Sequence, residues 1–430
     1  MKQYNNPPKS EWENLSRRPV LNAENLEYLV QEIIDEVQTK GDVAIKDYTL
    51  KFDKVTLENL KVSESEFVFA SSEISDELKN AISVASSNIR KFHESQKSSE
   101  PIVETMKGVT CWRKSVPIEK VGLYIPGGSA PLFSTILMLG IPAQIAGCKK
   151  IILCTPCDKN GKIISAILYT ASTLGITEIY KIGGAQAISA MAFGTETIAK
   201  VDKIFGPGNQ YVTKAKELVQ KTGVAIDLPA GPSEVLVIAD RNSDSDFVAS
   251  DLLSQAEHGA DSQVVLVTND ASFPDRVMQS IAEQLKILPR ENIAEKALKN
   301  SFAVVLNSLD ECFDFSNIYA PEHLIVAVEE AENYVNKIQN AGSVFLGNYT
   351  CESAGDYASG TNHTLPTNGY ARSYSGVSLD SFVKKITFQN ITKEGLQNIG
   401  EVIEIMAEAE ELIAHKNAVS IRLKKIRNEQ

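Results

Sequence analysis

Hydrophobic residues in the middle third of the chain come in runs of strand length, at 121–125, 150–154, 178–182, 203–205 and 234–238. Longer stretches of helical spacing, such as 161–174 and 209–222, separate them. Strand-length and helix-length segments in alternation predict a mainly parallel sheet with helices on both faces. The runs end in turns rich in glycine and proline: Pro126-Gly-Gly-Ser129, Thr155-Pro156, Gly183-Gly-Ala-Gln186 and Gly206-Pro-Gly-Asn209. Such turns collect at the carboxyl edge of the sheet, where helix N-termini offer free N–H groups to phosphate. That edge is a candidate dinucleotide site. No Gly-x-Gly-x-x-Gly is present, however, and Tyr211 stands where the third glycine would follow Gly206-Pro-Gly208, so the turns by themselves are also what any sheet of this kind needs.

A second strand and helix series runs through 263–268, 303–306, 324–328 and 343–346. The N-terminal stretch 24–95 has apolar spacing near 3.6, as at Leu26, Leu29, Ile33 and Val37, and is expected to be the helical partner of that second series. Two α/β domains follow. After Gly376 the pattern gives a short β segment at 385–388 and then one amphipathic helix from about Glu394 to Arg427.

At 430 residues there is room for two to three domains of roughly 150 residues. A net charge of −12 and the lack of a Lys/Arg-dense face before Arg422-Leu-Lys-Lys-Ile-Arg427 argue against nucleic acid or an anionic membrane as partner, leaving a small-molecule substrate. Residues 121–148 carry no charge, but Pro126, Pro131, Pro142 and several glycines interrupt them. A buried strand, turn and helix is expected there, not a membrane span. The first residues hold no apolar stretch of signal-peptide type, so a cytoplasmic location is expected, with the six cysteines as reduced thiols. Cys154-x-x-Cys157 has no second pair at zinc-site spacing and reads as structural.

Four of the five histidines fall in the last 175 residues, each near a carboxylate or carboxamide: Gln255-Ala-Glu-His258, Glu322-His323, Asp356 before His363, and Glu410 before His415. Imidazole and carboxylate oxygen are the usual ligands of a borderline divalent metal, and imidazole is suited to proton transfer near neutral pH. Gln255 and His258 are three apart in an apolar helical run ending at Gly259, so they share a face. With Asp356 from the glycine-bracketed loop 355–360 and His415 from the tail, they give a mixed nitrogen and oxygen set suited to zinc, cobalt or manganese. Glu322 and His323 can supply a base and an acid together if both lie in the turn before the run 324–328. Taken singly, a histidine is more often a hydrogen-bonded surface or core residue than a ligand, and spacing alone does not name this quartet; 321–323 is equally a solvated turn.

Five long strings carry a resemblance: 226–240, 246–259, 121–128, 319–324 and 355–366. Together they resemble the histidinol dehydrogenase family over nearly the whole chain. The resemblance implies an NAD-dependent zinc enzyme that oxidises L-histidinol to L-histidine by two hydride transfers through L-histidinaldehyde, at the end of histidine biosynthesis. It implies zinc, one per subunit, on Gln255, His258, Asp356 and His415, with Glu322 and His323 as the catalytic pair. Substrate contacts land on these six residues and on Ser233, His363 and Glu410; NAD contacts land on Tyr124, Gln186 and Asn209. It also implies a homodimer whose tail reaches the partner's site. The implied architecture is two Rossmann-like parallel-sheet domains: a segment 1–21, a discontinuous domain of 22–122 and 237–377 carrying most of the site, an inserted NAD-binding domain 123–236, and a helical tail 378–430. Rival readings are a zinc hydrolase, which would turn over without NAD, a metal-binding protein with no use for Glu322 and His323, and a relative acting on another amino or hydroxy alcohol.

Overall fold

A computed structural model describes residues 1–18, 25–127, 132–229 and 231–429; Gly128, Ser129, Pro131 and Ala230 of the strings above lie outside them. Contacts divide the chain into two compact units, one of residues 1–96 and 118–382 and one of 97–117 and 383–430.

The first unit holds two all-parallel sheets. The five-stranded one has the order Glu178–Lys181, Lys150–Thr155, Lys120–Tyr124, Lys203–Phe205, Ala225–Ile226. The six-stranded one runs Lys2–Asn5, Phe302–Val305, Gln263–Thr268, Glu234–Ala239, His323–Val326, Ser343–Leu346. Their inner strands are buried on both faces, which is why these read as continuous apolar runs and not as alternating ones. Along Glu234–Ala239, for example, Val235, Val237 and Ala239 enter one core while Leu236 and Ile238 enter the opposite one. The uncharged stretch is a buried strand followed by the helix Ser134–Ala146, which is apolar all round and buried over most of its length. Among the described residues no helix is long and apolar enough to cross a membrane.

Several expectations change. The run at 234 belongs to the middle of the six-stranded sheet, and the fifth strand of the other sheet is the short Ala225–Ile226. The N-terminal helices do not serve the second series: Val30, Ile33, Val37 and Ile45 share a core with Ile152, Ile188 and Ile204 of the five-stranded half. Helix Asp76–Glu94 packs there too, with Ile82 and Ile89 against Ile136 and Leu139. Periodicity fixes which face of a helix is buried, not which sheet receives it. The first residues are likewise part of the fold, with Lys2–Asn5 as an edge strand and Trp12 only 2% exposed.

In the second unit, strand Val383–Ile391 pairs antiparallel with Val109–Pro117, which pairs in turn with Val103–Met106. The expected single tail helix is two, Lys393–Ala409 and Ile413–Asn428. They are broken at Glu411, whose φ is +59°, and packed on each other through Gly400 and Leu423.

Candidate active site

The site residues of the first unit gather where strands begin and helices end. Asp244 caps helix Ser245–Ala256, accepting from the N–H groups of Asp246 (2.8 Å) and Phe247 (3.2 Å). The helix stops at Ala256, earlier than the sequence pattern places it. Gln255 therefore lies in its last turn, and His258 sits two residues beyond, its N–H bonded to the Gln255 carbonyl at 3.2 Å. Asp356 is not in a loop but on the six-residue helix Glu352–Tyr357. That turn places Glu352 and Asp356 four apart on one face. Ser233 precedes strand Glu234–Ala239, and His323 opens strand His323–Val326. The turn at 321–323 is not solvated: Glu322 and His323 are 6% and 4% exposed.

A cavity of about 90 Å³ is lined by Ser233, Gln255, His258, Glu322, His323, Asp356 and His363, together with Leu132, Ser134, Pro207 and Tyr357. All seven zinc, catalytic and substrate residues expected within the first unit thus meet in one place. Ser134 and Thr135, at the start of the apolar helix, hold His363 Nε2 at 3.4 and 3.5 Å. Glu410 and His415 lie in the second unit, at the corner between its two helices.

The electrostatics are dominated by burial. Glu322 is pushed up to about 7 by desolvation, against the pull of the neighbouring His323 and a hydrogen bond from the Glu234 N–H. Burial alone would depress His323, but the carboxylates of Glu352, Glu322 and Asp356 outweigh it and lift it to about 10. Burial lifts Glu352 well above the carboxylate range. Asp356, desolvated as well, is nevertheless held below its ordinary value by the nearby His323, 3.6 Å away, and by the charge of the other surrounding imidazoles. His258, open to solvent on one edge, and the enclosed His363 are both lowered, chiefly by desolvation.

Several of these groups lack partners. Gln255 Oε1 and Nε2, His323 Nε2 and both Glu352 carboxylate oxygens are buried without a hydrogen bond, an arrangement that destabilises a protein unless something else satisfies it. His258, Glu352 and Asp356 each present a ligand atom, all within 4.8 Å of one another. Orphaned acceptors, an imidazole and carboxylates at this spacing fit a divalent cation. Sequence reasoning misses Glu352. Its one signal is a position four residues before Asp356, which becomes legible only if a helix is assumed there.

A second cavity, of about 700 Å³, opens at the carboxyl edge of the five-stranded sheet and is lined by Tyr124, Gln186 and Asn209, with Asp53, Pro156, Gly183 and Gly184 among the others. Two helices begin here. Gly183 caps Gly184–Phe193, and Asn209 Oδ1 caps Gln210–Gln220 by accepting from Tyr211 and Val212 N–H at 3.0 and 3.2 Å. Tyr124 Oη accepts from Gly184 N–H at 3.0 Å, while buried Gln186 Oε1 has no partner. Cys157 also lines this cavity, but no cysteine lines the smaller one, and all six are free thiols.

The sequence matches the family model of histidinol dehydrogenase over residues 16–423. It is 58% identical over 423 residues to the histidinol dehydrogenase of Bacteroides thetaiotaomicron, covering 98% of this chain and 99% of that one. It is 54% identical over 424 residues to the chloroplastic histidinol dehydrogenase of Arabidopsis thaliana, covering 98% and 91%. A crystal structure of histidinol dehydrogenase from Elizabethkingia anophelis superposes with a TM-score of 0.97 at 63% identity, over 99% of each chain. With fold, family model and full-length relatives in agreement, the chain belongs to the histidinol dehydrogenase family of oxidoreductases.

Proposed function

We propose that this chain oxidises L-histidinol to L-histidine with NAD, in two steps through L-histidinaldehyde, on a zinc site completed by the tail of a partner subunit. The observation that carries this reading is the small cavity, where Gln255, its carboxamide unpartnered, and the clustered ligand atoms of His258 and Asp356 adjoin the Glu322-His323 pair. Zinc held by Gln255, His258, Asp356 and His415 would supply the positive charge that anchors the substrate's imidazole and amino nitrogens, and it would draw Asp356 away from His323, lowering that imidazole toward neutrality. NAD in the larger cavity, against Tyr124, Gln186 and Asn209, would accept the hydride, with its pyrophosphate favoured by the two helix N-termini.

The chain's own residues do the rest. Ser233 and His363 line the pocket around the substrate, and Glu410 from the tail would recognise its imidazole ring. His323 takes the hydroxyl proton as the alcohol becomes the aldehyde. Glu322, titrating near 7, is poised to take a proton from the water that adds to the aldehyde, since a base works best with a pKa near the working pH. The hydrate would then give the second hydride to a second NAD and, losing two protons, become the carboxylate.

The test is stoichiometric. Purified protein given L-histidinol and NAD should form two NADH for each L-histidine. One NADH with aldehyde released, or turnover without NAD, would overturn the reading.

A further inference from the structure

Both members of the catalytic pair are bonded to a single residue's backbone. The N–H of Glu234 donates to Glu322 Oε2 at 2.9 Å, and the carbonyl of the same residue lies 3.3 Å from His323 Nδ1. Because a carbonyl can only accept, the second contact requires the proton on Nδ1. Nε2, which has no hydrogen-bond partner and lies 3.6 Å from Asp356, is then the ring nitrogen left for the cavity that His323 lines.

The side chain of Glu234 is anchored on the opposite side. It is 1% exposed, and its Oε2 accepts from Arg18 Nε at 2.6 Å and lies 3.0 Å from Tyr319 Oη. Its Oε1 accepts the N–H of Asn368. Arg18 stacks 3.5 Å over the Tyr319 ring and donates to the Ser16 carbonyl at 2.8 Å. A carboxylate buried this deeply persists only when its partners are in place, and these come from three distant parts of the chain. Strand register completes the clamp: His323 pairs with Val235 in the neighbouring strand, so the start of one strand sets the position of the other.

The geometry points to Glu234 as a positioning residue for the oxidation, which fixes the distance between Glu322 and His323 and the tautomer of His323 through an anchor on Arg18 and Tyr319. It is not among the residues that line the small cavity. Misplacing reacting groups by about 1 Å can slow a reaction on the order of 10²-fold, and that is the scale of effect expected.

This inference rests on the roles proposed for Glu322 and His323, so Glu322→Gln is assayed beside the new variants. Glu234→Gln keeps the shape and removes the charge that holds Arg18. It should lower kcat by about 10- to 100-fold. KM for L-histidinol and NAD should stay within about twofold of wild type, bound zinc per subunit should be unchanged, and the pH profile of kcat should be displaced. If Glu234→Gln does not fold, Tyr319→Phe, which removes one hydroxyl from the anchor, is read by the same measurements, with a smaller loss expected. Wild-type kcat and an unshifted pH profile in the folded variant, with Glu322→Gln impaired, would overturn the inference alone. A rise in KM without a fall in kcat would overturn it as well, since that marks a substrate contact. Full activity in Glu322→Gln would instead overturn the underlying reading of the pair.

Discussion

Glu322 and His323 are sequence neighbours, yet burial and surroundings separate their proton affinities: desolvation brings the acid up to about 7, while the carboxylates of Glu352, Glu322 and Asp356 lift the imidazole to about 10, a pull that the proposed zinc on Asp356 would weaken. Two groups so separated suit two different proton transfers. Glu322→Gln should therefore impair oxidation of L-histidinaldehyde more than that of L-histidinol, and His323→Asn should impair the alcohol step, each by roughly 10²- to 10⁴-fold. Feeding alcohol and aldehyde separately with NAD makes the comparison, and equal losses in both half-reactions for Glu322→Gln would remove its water-activating role. The fifth histidine, His93, shows the opposite use of the side chain. It is fully buried, with Nδ1 2.9 Å from the Ile89 carbonyl and Nε2 3.4 Å from Asn362 Nδ2, so both nitrogens are satisfied in the neutral ring. Burial lowers its pKa. The unfolded chain then binds the extra proton first, so stability should fall as pH drops below about 6.5 and stop falling, for this group, below the folded-state pKa. Urea unfolding at about pH 7.5 and about pH 5.5 should show a smaller acid loss for His93→Gln than for wild type. Equal losses would mean that His93 is not the linked group.

At the scale of elements, the sequence is clearest where a strand is buried on both faces. Its apolar runs, such as Lys150–Thr155 and Gln263–Thr268, stand out without alternation. It is weakest where an element's fate depends on distant packing. The N-terminal helices have the right period but no mark of which sheet they cover. The tail break at Glu411 has neither glycine nor proline to announce it, and the helix carrying Asp356 is too short for a period to show. The seven expected residues among those lining the small cavity are legible in the motif strings, because strand starts and helix ends carry the chemistry while the repeating core carries only the fold. Gly206 joins these levels. Its φ is +125° and a Cβ there would run into the Tyr124 carbonyl oxygen. The buried Lys216 donates to its carbonyl at 2.9 Å, and Asp227 accepts its N–H at 2.8 Å. Gly206→Ala should therefore lose about 1–3 kcal/mol from backbone strain alone and should raise KM for NAD, because the displaced strand end carries Tyr124 into the larger cavity. Unchanged denaturation midpoint and KM would show that the turn tolerates the shift.

For the whole molecule, the decisive feature is that the proposed zinc and substrate residues divide between units. Gln255, His258 and Asp356 belong to the first, and His415 with Glu410 to the second, where the break between the two tail helices sets them five residues apart at one corner. The second unit is built from a strand and two helices folded on a hairpin from residues 97–117. It is thus a body in its own right, of the kind that can deliver a ligand to another subunit. A twofold dimer with such an exchange has two identical sites, each drawing His258 from one chain and His415 from the other. His258→Asn and His415→Asn should each be inactive and zinc-depleted alone, since losing one of four protein donors weakens metal binding. Mixed in equal amounts under conditions of subunit exchange, about half of the dimers are hybrids with one intact site of two, so about a quarter of wild-type activity and zinc should return. If both histidines served a site within one chain, every site in the mixture would lack a ligand. Demonstrated exchange with no recovery would therefore place His415 in its own subunit's site and remove the shared-site proposal.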